Sequence, residues 1–326
     1  MGRFSNTPYI ITVIAIITGS VMLYKPVANI GHNKINTATG SWLPPDINEL
    51  NTSDSASLIR YGRELIANTA AYIGPKGNVA AASNGMNCQN CHLNAGTKLY
   101  GSNFALVAST YPKYRHRSGK IESIEFRINE CMERSLNGKP LDSLSREMKA
   151  MVAYLKWVGK NIKKGTRPAG TGMDELPWLN RAANPSSGRT IYLNKCKVCH
   201  GANGEGVLSI DSAGYTYPPL WGENSYNVSA GLYRITRLAY FVKHNMPYKT
   251  ADAAPLTDEE AWDVAAFINS MKRPQKFFKY DWPNINTKPV DYPFGPYADS
   301  FTEIQHKLGP FYEIKKATEK LEKKSP

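Results

Sequence analysis

The chain has 326 residues, room for about two domains of ordinary size. Hydrophobic residues make up 42% and charged residues 21%, which excludes a wholly disordered or fibrous chain. Lys and Arg outnumber Asp and Glu by 40 to 27, a formal charge of +13, which favours anionic partners: a small anion, an acidic protein surface, a lipid headgroup or nucleic acid.

Residues 1–8 carry one charge, Arg3, and residues 9–24 are apolar or small throughout. A run of 16 residues is shorter than the ~20 of a bilayer span but suits the core of a secretion signal. A buried helix is the competing reading, and the Lys25-Pro26 stop speaks against it. Pro26-Val27-Ala28 makes a poor small-x-small cleavage site, so residues 1–28 are expected to be a signal peptide or an uncleaved anchor that tethers the chain to a membrane through residues 9–24. No Cys follows the run, which excludes a lipid anchor at that point. Both outcomes predict an exported, periplasmic protein. Residues 29–54 are polar and read as a tether.

A weak repeat follows. A short helix beginning Tyr61-Gly62-Arg63-Glu64-Leu65-Ile66 precedes Cys88-Gln89-Asn90-Cys91-His92; another, Ser187-Gly188-Arg189-Thr190-Ile191-Tyr192, runs into Cys196-Lys197-Val198-Cys199-His200. Each half closes with an amphipathic helix. The first spans 145–159, with Met148, Met151, Val152, Leu155 and Val158 at helical spacing. The second spans 257–271, where Thr257 and Glu260 form a capping box. No strand run intervenes. The expected architecture is all-α: two tandem domains, 55–164 and 185–274, joined by a Gly/Pro-rich linker at 165–184. The Pro/Tyr/Asp-rich extension 275–326 is expected to wrap the surface, and its Lys-rich end from Glu313 to be helical or frayed.

Cys-x-x-Cys-His is the attachment sequence for c-type haem: two thiols become thioethers and the His ligates iron. Structural zinc is one rival, but zinc pairs sit ~15–20 residues apart, and here 104 residues separate Cys91 from Cys196. A redox pair of the thioredoxin kind would need a βαβ context that is missing. The duplicated motif in a duplicated helical frame therefore predicts two cytochrome c-like domains and two covalently attached haem c groups, held by Cys88, Cys91, Cys196 and Cys199, with His92 and His200 on the irons.

Four of five cysteines are thus accounted for, and Cys131 has no partner within the chain for a disulfide. The sixth ligands come next. In the second half Met246 lies in a loop before Pro247, 46 residues after His200, the usual setting of an axial thioether. Met271 ends the closing helix and reads as core; Lys243 and His244 are near enough to compete. Met ligation would raise the potential of this haem and make it the electron exit. In the first half the candidates are His116, Cys131, Met132, Met148 and Met151, the last two belonging to the core stripe. A helix over 121–136 would place Arg127, Ile128, Arg134 and Ser135 on the face of Cys131. Cationic neighbours favour a thiolate and would hold a small oxyanion. Spacing leaves open whether this face is a site or solvated arginines around a buried thiol.

The stretch Tyr111-Pro112-Lys113-Tyr114-Arg115-His116-Arg117, followed by Phe126-Arg127-Ile128-Asn129-Glu130-Cys131-Met132-Glu133-Arg134-Ser135-Leu136-Asn137-Gly138, resembles dihaem thiosulfate dehydrogenases of the TsdA type. The resemblance covers most of the chain beyond residue 55, including Asn245-Met246-Pro247, Asp281-Trp282-Pro283 and Gly295-Pro296-Tyr297. It implies His92 and Cys131 as axial ligands of an active-site haem, with Arg117, Arg127 and Ser135 at the substrate site. It also implies His200 and Met246 at the second haem. Some relatives carry Lys beside that Met and exchange ligands on reduction; Asn245 stands there in this chain, which speaks against such a switch.

The activity implied is oxidation of two thiosulfates to tetrathionate, with electrons leaving through the second haem to a soluble or membrane-bound cytochrome. The alternatives are the same site working as a tetrathionate reductase, or a dihaem cytochrome that only carries electrons. A dihaem peroxidase would need an open iron position, and both sixth ligands have candidates. Nucleic-acid binding, suggested by charge alone, is not expected of an exported cytochrome.

Overall fold

The computed structural model describes residues 40–211, 213–248 and 254–324. The expected signal or anchor, and the tether up to residue 39, lie outside the described residues. Among the described residues no helix is long and apolar enough to cross a membrane.

The first half is built on α1 (Asp54–Ala67) crossing α3 (Arg146–Val158), with α2 (Ile124–Arg134) between them in sequence. Helix α1 starts about two turns before the expected Tyr61, because the Ser53 hydroxyl accepts from the Ala56 amide and caps it there. Helix α3 keeps its expected bounds, capped by Ser145 and ended at Gly159. The second half repeats the plan with α4 (Pro185–Lys195) crossing α6 (Asp258–Ser270), and α5 (Ile235–Asn245) preceding α6. The Thr257/Glu260 capping box forms as its spacing predicts.

The paired glycines of the repeat explain how closely these helices cross. A Cβ on Gly62 would lie 2.0 Å from the Ala150 carbonyl oxygen, and one on Gly188 would lie 1.9 Å from that of Asp263. No side chain fits at either crossing. Each crossing anchors its own core, one containing Leu65, Met132, Met148 and Met151, the other Tyr192, Leu238, Trp262 and Ile268. Met132, Met148 and Met151 are therefore packing residues. Tyr226 and Ala230 of the second half are buried in the first core, so the halves share apolar surface.

Two small hairpins form where the sequence predicts no strand. Strand β1 (Lys113–Arg115) pairs antiparallel with β2 (Lys120–Glu122), and β3 (Val207–Leu208) with β4 (Tyr215–Tyr217). The first turns through Gly119 at φ 65°, and Ser123 then caps α2 by accepting from the Phe126 amide. That cap is why the helix begins at Ile124 and not at 121.

The C-terminal extension does more than wrap the surface. Asp291 is buried and accepts from Arg234 and from both the amide and hydroxyl of Thr236, fixing the entry to α5. Helices α7 (Glu303–Leu308) and α8 (Tyr312–Lys324) follow, and Phe311 and Ile314 enter the second core.

Candidate active site

Both Cys-x-x-Cys-His segments are tight turns that aim their histidines alike. In the first, the Thr69 hydroxyl accepts from the Cys88 amide at 3.0 Å, and the His92 amide donates to the Cys88 carbonyl at 2.9 Å. His92 Nδ1 donates to the Ser102 carbonyl at 2.5 Å, while the ring packs on Phe104 with centroids 4.4 Å apart. In the second, His200 Nδ1 donates to the Pro218 carbonyl at 2.9 Å. A carbonyl at Nδ1 fixes the tautomer and leaves Nε2 with its lone pair free for a metal. Burial pulls the pKa of His92 down to about 4, against the Ser102 carbonyl, and lowers that of His200 as well, so both rings stay neutral as ligands must be.

Beside His200 lies a cavity of about 580 Å³. Cys196, Cys199 and Met246 line it together with the apolar walls Leu220, Phe241 and Leu256, and so do Cys91 of the first motif and Asn87 just before it. A flat apolar macrocycle with two vinyl carbons at the thiols and iron between His200 and a thioether fits this donor set. All five cysteines are free of disulfides, which leaves the four motif thiols for thioether attachment.

Neither rival of Met246 lines this cavity. Lys243 Nζ donates to the Leu256 carbonyl at 2.6 Å and pairs with Asp258 at 3.0 Å. His244 Nδ1 donates to the Tyr240 carbonyl at 3.0 Å, and its ring stacks on Tyr240 and Tyr100. Met271 caps the end of α6 against the second core. The turn carrying Met246 is held from the first half. Lys98 Nζ donates to Asn245 Oδ1 at 2.8 Å, Asn245 Nδ2 donates to the Tyr100 carbonyl at 3.0 Å, and the Tyr248 hydroxyl donates to Asn94 at 2.8 Å. Asn245 is thus committed to hydrogen bonds and is buried.

In the first half Cys131 is half-buried on α2. Burial pushes the thiol pKa of Cys88 up to about 11 and that of Cys91 to about 12, and Cys131 adds to both. The field of Cys131 pushes the Arg127 guanidinium above its ordinary range, against burial, and Glu130 adds to the push. Arg127 Nη1 donates to Glu130 at 3.1 Å, and its side chain keeps 35% exposure.

The other two arginines are taken up by other groups of the chain. Arg134 is buried and donates through both Nη atoms to Asp281, at 2.7 and 2.8 Å, with its guanidinium 3.8 Å from the Phe278 ring centre. Arg117 is 11% exposed, donates to the Ser229 carbonyl at 3.1 Å and lies 4.0 Å from the same Asp281. Burial pulls the pKa of Arg117 down to about 10, Arg134 adds to the fall and Asp281 opposes it. Ser135 ends α2, its amide donating to the Cys131 carbonyl at 2.9 Å. His116 is exposed on the first hairpin, edge-on to Tyr114. Lys98 and Asp281 are site residues that sequence reasoning misses; each acts on a partner 147 residues away, and only the Asp281-Trp282-Pro283 phrase hints at the second.

Residues 78–163 match the SoxA/TsdA cytochrome c domain and residues 186–272 the cytochrome c domain. Together with the two attachment turns, this defines a dihaem c-type cytochrome. The chain is 37% identical over 241 residues to a thiosulfate dehydrogenase of Psychrobacter arcticus, covering 74% of this chain and 71% of that one. It is 32% identical over 276 residues to a thiosulfate dehydrogenase of Stutzerimonas stutzeri, covering 83% and 87%. The chain belongs to the thiosulfate dehydrogenase family. A solved structure of thiosulfate dehydrogenase (TsdBA) from Marichromatium purpuratum, in its as-isolated form, is similar with a TM-score of 0.68 and 29% identity. That match covers 80% of this chain and 55% of the solved one, so this chain spans just over half of that polypeptide.

Proposed function

We propose that this protein oxidises two thiosulfates to tetrathionate at the Cys131 face of α2 and passes two electrons through the second haem to a c-type cytochrome. The observation that carries the reading is a half-buried thiol, Cys131, one helical turn along α2 from a partly exposed guanidinium, Arg127. Arg127 meets the entering dianion; Ser135 ends the same helix, and Arg117, held by Asp281 and the Ser229 carbonyl, adds positive charge nearby through the arginine–Asp281 cluster. His92 and Cys131 would hold the iron of the first haem, and His200 and Met246 that of the second. Each bound haem supplies a one-electron store, so two of them match a two-electron oxidation.

The chemistry of the chain's own residues balances. The Cys131 thiolate bonds to the sulfane sulfur of one thiosulfate, forming an S–S bond and releasing two electrons. A second thiosulfate attacks that sulfane sulfur; the new S–S bond completes tetrathionate and the Cys131 thiolate leaves. No proton is taken up or released. Export to the periplasm, with residues 9–24 as signal or tether, completes the proposal.

The test is to add thiosulfate to the air-oxidised, haem-loaded protein and follow the reduced-haem absorption band together with tetrathionate. Haem reduction with one tetrathionate per two electrons is expected. Failure of thiosulfate to reduce either haem overturns the proposal.

A further inference from the structure

Arg273 follows α6 by three residues and is buried, at 6% exposure. Its guanidinium lies 4.3 Å from the ring centre of Tyr226 and 5.0 Å from that of Tyr233, and Nη2 donates to the Ile268 carbonyl at 2.6 Å. Nε and Nη1 are also buried, and neither makes a hydrogen bond among the described residues. A guanidinium stays charged at any physiological pH, and a buried cation whose donors are left over calls for an acidic acceptor.

The surroundings say which. Of the residues Arg273 touches, Tyr226 and Ile268 line the cavity bounded by Cys196, Cys199, His200 and Met246, and Tyr233 packs against the first core. A haem held there brings two propionate carboxylates, and carboxylate is the group a guanidinium fork matches best. We infer that Arg273 anchors a propionate of the second haem through Nε and Nη1. Tyr226 also packs in the first core, and Cys91 of the first attachment turn lines the same cavity. A cation in that place favours the reduced state of the second haem.

The test is spectroelectrochemical titration of the holoprotein and of Arg273→Gln and Arg273→Lys, each checked for two haems per chain. Arg273→Gln is expected to lower the reduced-to-oxidised ratio of the second haem about tenfold at fixed potential, equivalent to ~59 mV. It should also give that potential a new pH dependence as the freed propionate titrates, while Arg273→Lys restores most of the ratio. An unchanged potential and pH profile, or a shift confined to the first haem, overturns the assignment. Should Arg273→Gln fail to accumulate, the propionate bending band in the resonance Raman spectrum of Arg273→Lys decides: a shift supports the anchor, an unchanged band overturns it. These readouts need no thiosulfate turnover, so they stand apart from the proposed activity.

Discussion

The two halves share a scaffold and differ in the side chains they offer near the histidine. Each has a helix crossing closed by a glycine and a His whose Nδ1 donates to a carbonyl. The cavity beside His200 has apolar walls, Leu220, Phe241 and Leu256, and the thioether of Met246, which suits a centre that carries electrons. The first half instead carries α2, with Cys131, Arg127, Glu130 and Arg134 on it. A duplicated electron-transfer fold thus becomes a candidate enzyme by changing one helix, provided something offsets the added charge. Asp281 and Glu130 do so, Asp281 pairing with Arg134 and Glu130 with both Arg127 and Arg134.

The sharpest way to break this comparison is Cys131→Gly. Turnover should fall by more than about 10³-fold, as when a covalent nucleophile is removed, with both haems still attached; a haem assay and a tetrathionate assay check the two parts. Asp281→Asn comes next, because it leaves Arg134 buried and half-paired: stability should drop by about 3 kcal/mol, read by denaturant titration.

The repeat itself is tested by Gly62→Ala and Gly188→Ala. Each should cost about 2 kcal/mol by forcing its crossing apart, and each should impair haem retention in its own half only, as seen by mass spectrometry of proteolytic fragments. Arg127→Ala should raise the KM for thiosulfate roughly tenfold, the effect of losing one charge-assisted hydrogen bond, in steady-state kinetics. Lys98→Ala has the smallest expected effect, about 1 kcal/mol for one hydrogen bond to Asn245. It should weaken the Met-to-iron charge-transfer band of the second haem and leave the first haem unchanged.

Much of this is legible locally. Haem attachment needs five consecutive residues, so both turns can be read directly; the closing helices carry their caps, Ser145 and the Thr257/Glu260 box, within one turn. The start of α1 escapes notice because the Ser53 cap lies outside the apolar stripe that signals the helix, and the hairpins because strands of two or three residues have too little alternation to show. The cationic face around Cys131 is only half legible: helical spacing does put Arg127 and Arg134 near the thiol, but spacing carries no information on what else competes for a guanidinium.

By itself the sequence determined the cofactor chemistry, the duplication and the lone cysteine, since each is written in neighbouring residues. Only the tertiary structure decided that Arg134 belongs to Asp281, that Lys98 holds Asn245 beside Met246, and that Arg273 is buried with donors left over. Partners 147 residues apart leave no local pattern, because a hydrogen bond depends on where two stretches of backbone meet in space and not on what precedes either residue.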